Sequence, residues 1–261
     1  LLLIAPFLLL AVFLGSLAVG RRVAMPIERA RQRQLAFTAD ASHELRTPLS
    51  VIEANASLAL AAERDGAWYR RSFERVLSES QRMHRLIEDL LWLARFDKMH
   101  RPPAGEPVDL GVLAEQAADR FAVLAEAKSQ TVVAEVPADS VTVSAPPEWI
   151  DQLMGVLLDN ACKYSPQGGA ISLTISAAGG RATLTVDDSG PGIPEERRER
   201  VFDRFHRDSS HAVGAGLGLA IAEAIVRATS GRWHIGTSPM GGARMSVSWA
   251  REARERGVPA T

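Results

Sequence analysis

His43 is the one histidine of six that sits in an arrangement proposing chemistry. At about 3.6 residues per turn it lies roughly 200° round a helix from Leu45, on a polar face shared with Thr47 and Ser50. The adjoining Glu44 is placed to hold one ring nitrogen protonated while the other attacks, as a carboxylate fixes an imidazole tautomer. Pro48 removes the helical hydrogen bond to the Glu44 carbonyl and should bend the helix just past the histidine. A solvated surface histidine is the plain alternative.

Three further clusters carry candidate binding chemistry. Asn160 and Lys163 project together, at i and i+3, from the end of an apolar helix, QLMGVLLDNACKY. An amide oxygen is a hard ligand that suits Mg²⁺, and a lysine suits a phosphate. The run Asp188-Ser189-Gly190-Pro191-Gly192-Ile193 follows a strand, where a carboxylate can accept from an exocyclic amine and glycines admit close backbone approach. Gly214-Ala215-Gly216-Leu217-Gly218-Leu219 opens a helix, offering backbone N–H groups and a positive dipole end to phosphate. Its spacing is neither Walker A nor Rossmann. Taken singly, the three also read as a solvated last helical turn, a strand-ending turn and a helix-packing set of glycines.

These groups need a scaffold, and composition bounds it. The 261 residues are 46% hydrophobic and 23% charged, with 30 Lys+Arg against 31 Asp+Glu. That is globular composition, and a formal charge of -1 gives no bulk electrostatic footprint for direct nucleic-acid binding. One cysteine, Cys162, excludes a disulfide framework and a four-cysteine zinc site and fits a reducing compartment. Residues 1–20, LLLIAPFLLLAVFLGSLAVG, are uncharged, and at about 1.5 Å per residue such a helix spans the ~30 Å hydrocarbon layer. Arg21, Arg22, Arg29, Arg31 and Arg33 follow against Glu28 alone, which predicts a transmembrane helix with everything downstream in the cytoplasm. A start at Leu inside an apolar run suggests a missing N-terminal part.

From Arg29 to Asp97 helical spacing occurs twice, broken at Glu63-Arg64-Asp65-Gly66. Ala41, Leu45, Leu49, Ile52, Ala56 and Leu60 form one stripe; Val76, Met83, Leu86, Leu90 and Leu93 form the other. Two helices with one stripe each close no core alone, so the spacing predicts a homodimer with a four-helix bundle. The segment 99–107, with three prolines and a glycine, reads as a linker. Beyond it, strands expected near 130–136, 140–144, 170–176, 181–187, 232–237 and 243–249 alternate with helices near 110–127, 147–164 and 217–229. That pattern predicts a two-layer α/β sandwich. The fold class is therefore α+β, divided into a span at 1–20, a short juxtamembrane linker at 21–35, a helical domain at 36–98, a linker at 99–107, an α/β domain at 108–250 and a tail at 251–261.

In order, these residues resemble the bacterial two-component sensor histidine kinases. Phe37-Thr38-Ala39-Asp40-Ala41-Ser42-His43-Glu44-Leu45-Arg46-Thr47-Pro48-Leu49 is similar to the H-box of the dimerisation and phosphoacceptor domain. LLDNACKYSP is similar to the N-box of the ATP-binding domain shared with gyrase, Hsp90 and MutL; DDSGPGI resembles the G1 box, VFDRFHR (201–207) the F-box and GAGLGL the G2 box.

The resemblance implies that His43 is the phosphoacceptor, with Glu44 as base and orienting partner. Asn160 would ligand Mg²⁺, Lys163 and Arg207 would meet the phosphates of ATP, Tyr164 would line the nucleotide site and Asp188 would read the adenine amine. Gly190 and Gly192, with Gly214, Gly216 and Gly218, would bracket a mobile lid. Thr47 matches the position that orients a water for dephosphorylating the partner regulator. The implied partners are a second copy of the chain and the receiver domain of a cytoplasmic response regulator, and the implied location is the bacterial inner membrane.

Two departures stand out. Val156 occupies a position where the family's N-box usually has another Asn. Only fifteen residues, Arg21 to Leu35, separate the span from the H-box region, too few for a two-helix relay. Besides an ATP-dependent protein-histidine kinase, two readings remain: an ATP-binding, phosphatase-biased or non-catalytic signalling scaffold, and a gyrase- or Hsp90-like ATPase, which leaves His43 and the span without a role.

Overall fold

The computed structural model describes residues 5–99, 103–206 and 215–251. The chain divides into two compact units, Leu1–Met83 and His84–Thr261.

In the first unit, helix α1 (Ala5–Ala61) turns back through residues 62–65 into α2 (Gly66–Lys98). Asp65 starts α2 as its cap: Oδ1 accepts from Trp68 N at 2.6 Å and its carbonyl accepts from Tyr69 N at 3.1 Å. The expected break at 63–66 is thus where the chain reverses. Antiparallel register follows from three cross-helix contacts. Tyr69 Oη donates to the Ala59 carbonyl at 3.4 Å, Ser72 Oγ donates to Asn55 Oδ1 at 3.1 Å, and Arg82 pairs with Glu44 at 3.8 Å. α1 remains helical through Pro48, which is buried.

The apolar stripe expected on α1 is only partly the inner face. Pro48, Val51, Asn55 and Ala59 are buried or half-buried, whereas Leu49 and Leu60, assigned to that stripe, are 44% and 89% exposed. Ser72 Oγ donates to Asn55 Oδ1, so at this level the helices meet through a hydrogen bond between residues that lie outside both expected stripes. Among the described residues no helix is long and apolar enough to cross a membrane. The side chains of the expected span at 1–20 lie outside those described.

In the second unit a five-stranded sheet has the order β2-β4-β5-β7-β6, from β2 (Thr131–Glu135), β4 (Ala170–Ala178), β5 (Arg181–Asp188), β6 (Arg232–Thr237) and β7 (Ala243–Ala250). Only β2–β4 is parallel; the other pairs are antiparallel. A separate antiparallel pair joins β1 (Glu106–Asp109) to β3 (Thr142–Ala145). Nothing in the sequence pattern marks β1: four residues containing a proline beside a Pro/Gly-rich stretch give no period-2 signal.

Helices α3 (Leu110–Glu126), α4 (Pro147–Tyr164) and α5 (Gly218–Ala228) form the second layer, with α4 packed against both others. Ile171, Leu173, Ile175, Ala182, Leu184, Val186, Met245 and Val247 are buried, while alternate residues carry polar contacts such as Thr185 Oγ1 to Ser246 Oγ at 3.0 Å. That alternation makes one sheet face apolar and the other polar, as a two-layer sandwich requires. α4 buries Ile150, Leu153, Met154, Leu157 and Leu158 almost completely, each worth about 1.5–3 kcal/mol. The helix is therefore a fixed rail for the residues at its end.

Candidate active site

Helix α4 ends where its carbonyls would lack partners, and the preceding segment supplies them. Gln130 Nε2 donates to the carbonyls of Cys162 (3.1 Å), Ser165 (2.9 Å) and Pro166 (3.1 Å), and Lys128 Nζ donates to Cys162 at 2.9 Å. This pins the last turn of α4, which carries Asn160 and Tyr164.

Opposite it, β5 ends in two aspartates that alternation sends to opposite faces. Asp187 meets Arg244, its register partner on β7, in a bidentate pair at 2.7 and 2.8 Å. Asp188 turns to the helix side, 8% exposed. Its Oδ1 accepts from Gly190 N at 2.8 Å and Ala243 N at 3.0 Å. Burial pushes the Asp188 carboxyl up from the usual carboxylate range, partly offset by those two N–H groups. Among the described residues Oδ2 accepts no hydrogen bond, so it is available to a ligand donor.

These elements line a cleft open to solvent. Leu157, Asn160, Ala161 and Tyr164 come from α4, Val186 and Asp188 from β5, and Ala243 and Met245 from β7. The loop after β5 contributes Pro191, Gly192, Ile193 and Pro194, followed by Arg197, Val201 and His206; Leu219 comes from the first turn of α5. An apolar slot with one buried carboxylate, one carboxamide and one guanidinium matches a flat heterocycle with an amine and an anionic tail.

Asn160 carries the metal question. Its Nδ2 is buried without a hydrogen-bond partner, so the carboxamide is held at the cleft wall by packing and not by a protein acceptor. No group of three or more His, Cys, Asp or Glu placed to hold a metal occurs among the described residues. One hard oxygen with phosphate oxygens completing the shell is the donor set Mg²⁺ uses with nucleotides, so the residues fit that ion.

Lys163 takes another position. It pairs with Asp159 one turn back and is not part of the cleft lining. Near this pair, burial pushes the Asp89 carboxyl of α2 up to about 6; Lys163 draws it down, while Asp159 and Glu88 raise it further.

The glycines have distinct roles. Gly190 packs on the Tyr164 carbonyl, where a Cβ would lie 2.9 Å away, and Gly192 faces the Gly242 carbonyl. Gly216, at φ +71°, returns the chain beside Phe205, whose N–H donates to the Gly216 carbonyl at 2.9 Å. A Cβ there would sit 2.9 Å from the His206 carbonyl, so only glycine fits both the left-handed backbone and the approach. Gly218 faces α4, and Val156 Cγ1 fills the space 3.3 Å from where its Cβ would be. Arg207 and Gly214 lie outside the described residues.

His43 is exposed on α1, and Thr47 Oγ1 donates to its carbonyl at 3.3 Å. Glu44 is half-buried and faces Arg82. Spacing alone gives no sign of Arg197, Ala243 or Met245 in the cleft. Gly242 did have a signal, the Gly241-Gly242 pair ahead of β7: its own Cβ would lie 2.1 Å from Asp188 Oδ1.

With this geometry, similarity to known proteins becomes specific. Residues 145–253 match the family of histidine kinase-, DNA gyrase B- and HSP90-like ATPases, and residues 33–98 match the His Kinase A phospho-acceptor domain. The chain is 37% identical over 207 residues to the probable sensor histidine kinase TcrY of Mycobacterium tuberculosis, covering 78% of this chain and 43% of that protein. It is 34% identical over 244 residues to the signal transduction histidine-protein kinase BaeS of Escherichia coli, covering 90% and 50%. The structure of full-length ShkA in complex with AMPPNP superposes with a TM-score of 0.62 at 28% identity, over 85% of this chain and 46% of that one. The chain thus spans about half the length of the curated relatives it matches. A phospho-acceptor hairpin followed by this ATPase fold, matched along most of the chain by sensor kinases, means that the protein belongs to the two-component sensor histidine kinase family.

Proposed function

We propose that this chain is the catalytic part of a membrane-anchored, homodimeric sensor kinase that transfers the γ-phosphoryl of ATP to His43 and then to an aspartate of a response-regulator receiver domain. The observation that carries the reading is Asp188, buried at the mouth of β5 with Oδ1 occupied by two backbone N–H groups and Oδ2 left to accept from the adenine amine. Leu157, Val186, Ile193 and Met245 give the base an apolar slot. Asn160 would hold Mg²⁺ from the cleft wall, and Tyr164 and His206 would border the nucleotide. Mg²⁺, when bound with ATP, neutralises phosphate charge and orients the transferring group.

At His43 the lone pair of one imidazole nitrogen forms the N–P bond as the P–O bond to ADP breaks. Glu44 stabilises or takes the proton on the other nitrogen. Thr47, one turn on, would orient a water that hydrolyses the phosphoaspartate of the partner regulator. The apolar run at 1–20 followed by Arg21-Arg22 supports an inner-membrane anchor with the catalytic part cytoplasmic.

A phosphatase-biased or non-catalytic scaffold is the second reading, and Val156 favours it: a hydrocarbon packed under Gly218 offers no polar atom where the family usually has an asparagine. Incubation with γ-labelled ATP and Mg²⁺, beside His43→Gln and Asn160→Ala, separates the two. Acid-labile, base-stable label lost in both variants supports the kinase; ATP binding without label supports the scaffold.

A further inference from the structure

The last turns of α2 belong to the catalytic unit, and they grip it at two places. Trp92 and Phe96 stack on each other with ring centroids 5.1 Å apart and both meet Trp149 in the first turn of α4, at 6.3 and 5.5 Å. One residue beyond Phe96, the Asp97 carboxylate takes both its oxygens to Arg204 Nη2, at 3.0 and 2.9 Å. Arg204 stands in the segment 201–206, two of whose residues, Val201 and His206, line the nucleotide cleft. The same segment is tied on its far side, where Phe202 packs on Trp233 at 4.9 Å and the Trp233 indole N–H donates to Glu223 of α5 at 2.7 Å.

We propose that Asp97 is a positioning residue for nucleotide binding: through Arg204 it fixes segment 201–206 between α2 and β6, and so sets the cleft wall formed by Val201 and His206. This rests on the cleft being the ATP site. A charged pair on one side and an aromatic contact on the other confine the segment from two directions. Freeing one side leaves the wall sampling positions that bind nucleotide less well, a loss paid at binding and not in the phosphoryl transfer that follows. The pair is about half exposed, so its effect is of the size of a partly screened ion pair, about three- to fivefold in affinity.

The test measures autophosphorylation by the full chain as a function of ATP for wild type, Asp97→Asn, Asp97→Glu and the exchange Asp97→Arg with Arg204→Asp. Asp97→Asn is expected to raise KM for ATP three- to fivefold with kcat unchanged, and the charge exchange and Asp97→Glu to recover most of it. An unchanged KM, a fall in kcat alone, or an exchange no better than the single variant overturns the proposal. Should Asp97→Asn melt at a lower temperature, the exchange decides the matter, because it retains the pair. If wild type gives no phosphohistidine, the kinase reading fails by itself. Displacement of a fluorescent ATP analogue from the same proteins still tests the role of Asp97, and equal affinity across the set overturns it.

Discussion

The Glu44 carboxylate lies 3.8 Å from the Arg82 guanidinium on the facing helix, one residue along the chain from His43. Arg82 is also 3.8 Å from Glu79, so one cation is shared between two half-buried carboxylates. In the proposed mechanism Glu44 orients the His43 imidazole, and Arg82 on α2 competes for the same carboxylate.

Removing Arg82 should therefore loosen one hold on Glu44. Arg82→Ala is expected to raise the initial rate of phosphohistidine formation at saturating ATP by about two- to fivefold, the worth of a partly exposed ion pair of up to ~1 kcal/mol. KM for ATP should stay unchanged. A slower rate in this variant would mean that Arg82 aims Glu44 and does not withhold it.

Gly242 offers a sharper test of the cleft. A methyl group there would lie 2.1 Å from Asp188 Oδ1 and 2.5 Å from Gly190 N, so the Asp188 carboxylate and its loop must move. Gly242→Ala is expected to weaken ATP binding at least about tenfold, the cost of losing a hydrogen bond to a charged group. Gly155→Ala is the matched control: it lies inside α4, a Cβ there meets nothing within 4 Å, and it should stabilise the fold by about 0.5–1 kcal/mol. Nucleotide titration and thermal melts of both variants read the difference.

The contrast between these residues shows what the sequence made legible. Asp188 and Asn160 sit at the ends of a strand and a helix whose periods are strong, so both the elements and the residues they present could be located by counting. Lys163 was placed by the same counting, but nothing along the chain says that Asp159, one turn earlier, pairs with it. The inner face of the hairpin differs from its apolar stripe for a related reason: Asn55 and Ser72, which no apolar count selects, turn inward and hydrogen-bond, while Leu49 and Leu60 of the stripe are exposed. Contacts such as Asp97 with Arg204 join positions more than a hundred residues apart, and only the folded chain shows them.

Exposed apolar side chains on the hairpin call for a second copy. Leu49, Leu58, Phe73 and Leu77 are 44%, 51%, 66% and 59% exposed, too many large groups on two helices to leave in water. Phe73→Glu with Leu77→Glu should shift the chain from dimer to monomer in sedimentation while helical content persists. A dimer as stable as wild type would place the subunit contact elsewhere.

The last prediction concerns pH. Burial beside the Asp159–Lys163 pair raises the Asp89 carboxyl to about 6 from 3.8. Lys163 and Arg85 lower it and Asp159 and Glu88 raise it, but desolvation dominates. Below about pH 4 the group is protonated in both folded and unfolded chains, and no penalty arises. Between about pH 4 and 6 the unfolded chain gives up this proton while the folded chain keeps it, so stability falls by about 3 kcal/mol across that window and stays at the lower level at neutral pH. Asp89→Asn removes the ionisation and keeps the shape. It should raise the melting temperature of the second unit by about 6–12 °C at pH 8 and leave it unchanged near pH 4. If Lys163 instead made the ionised form favourable, the variant would melt lower at pH 8, and the sign of that one difference decides between them.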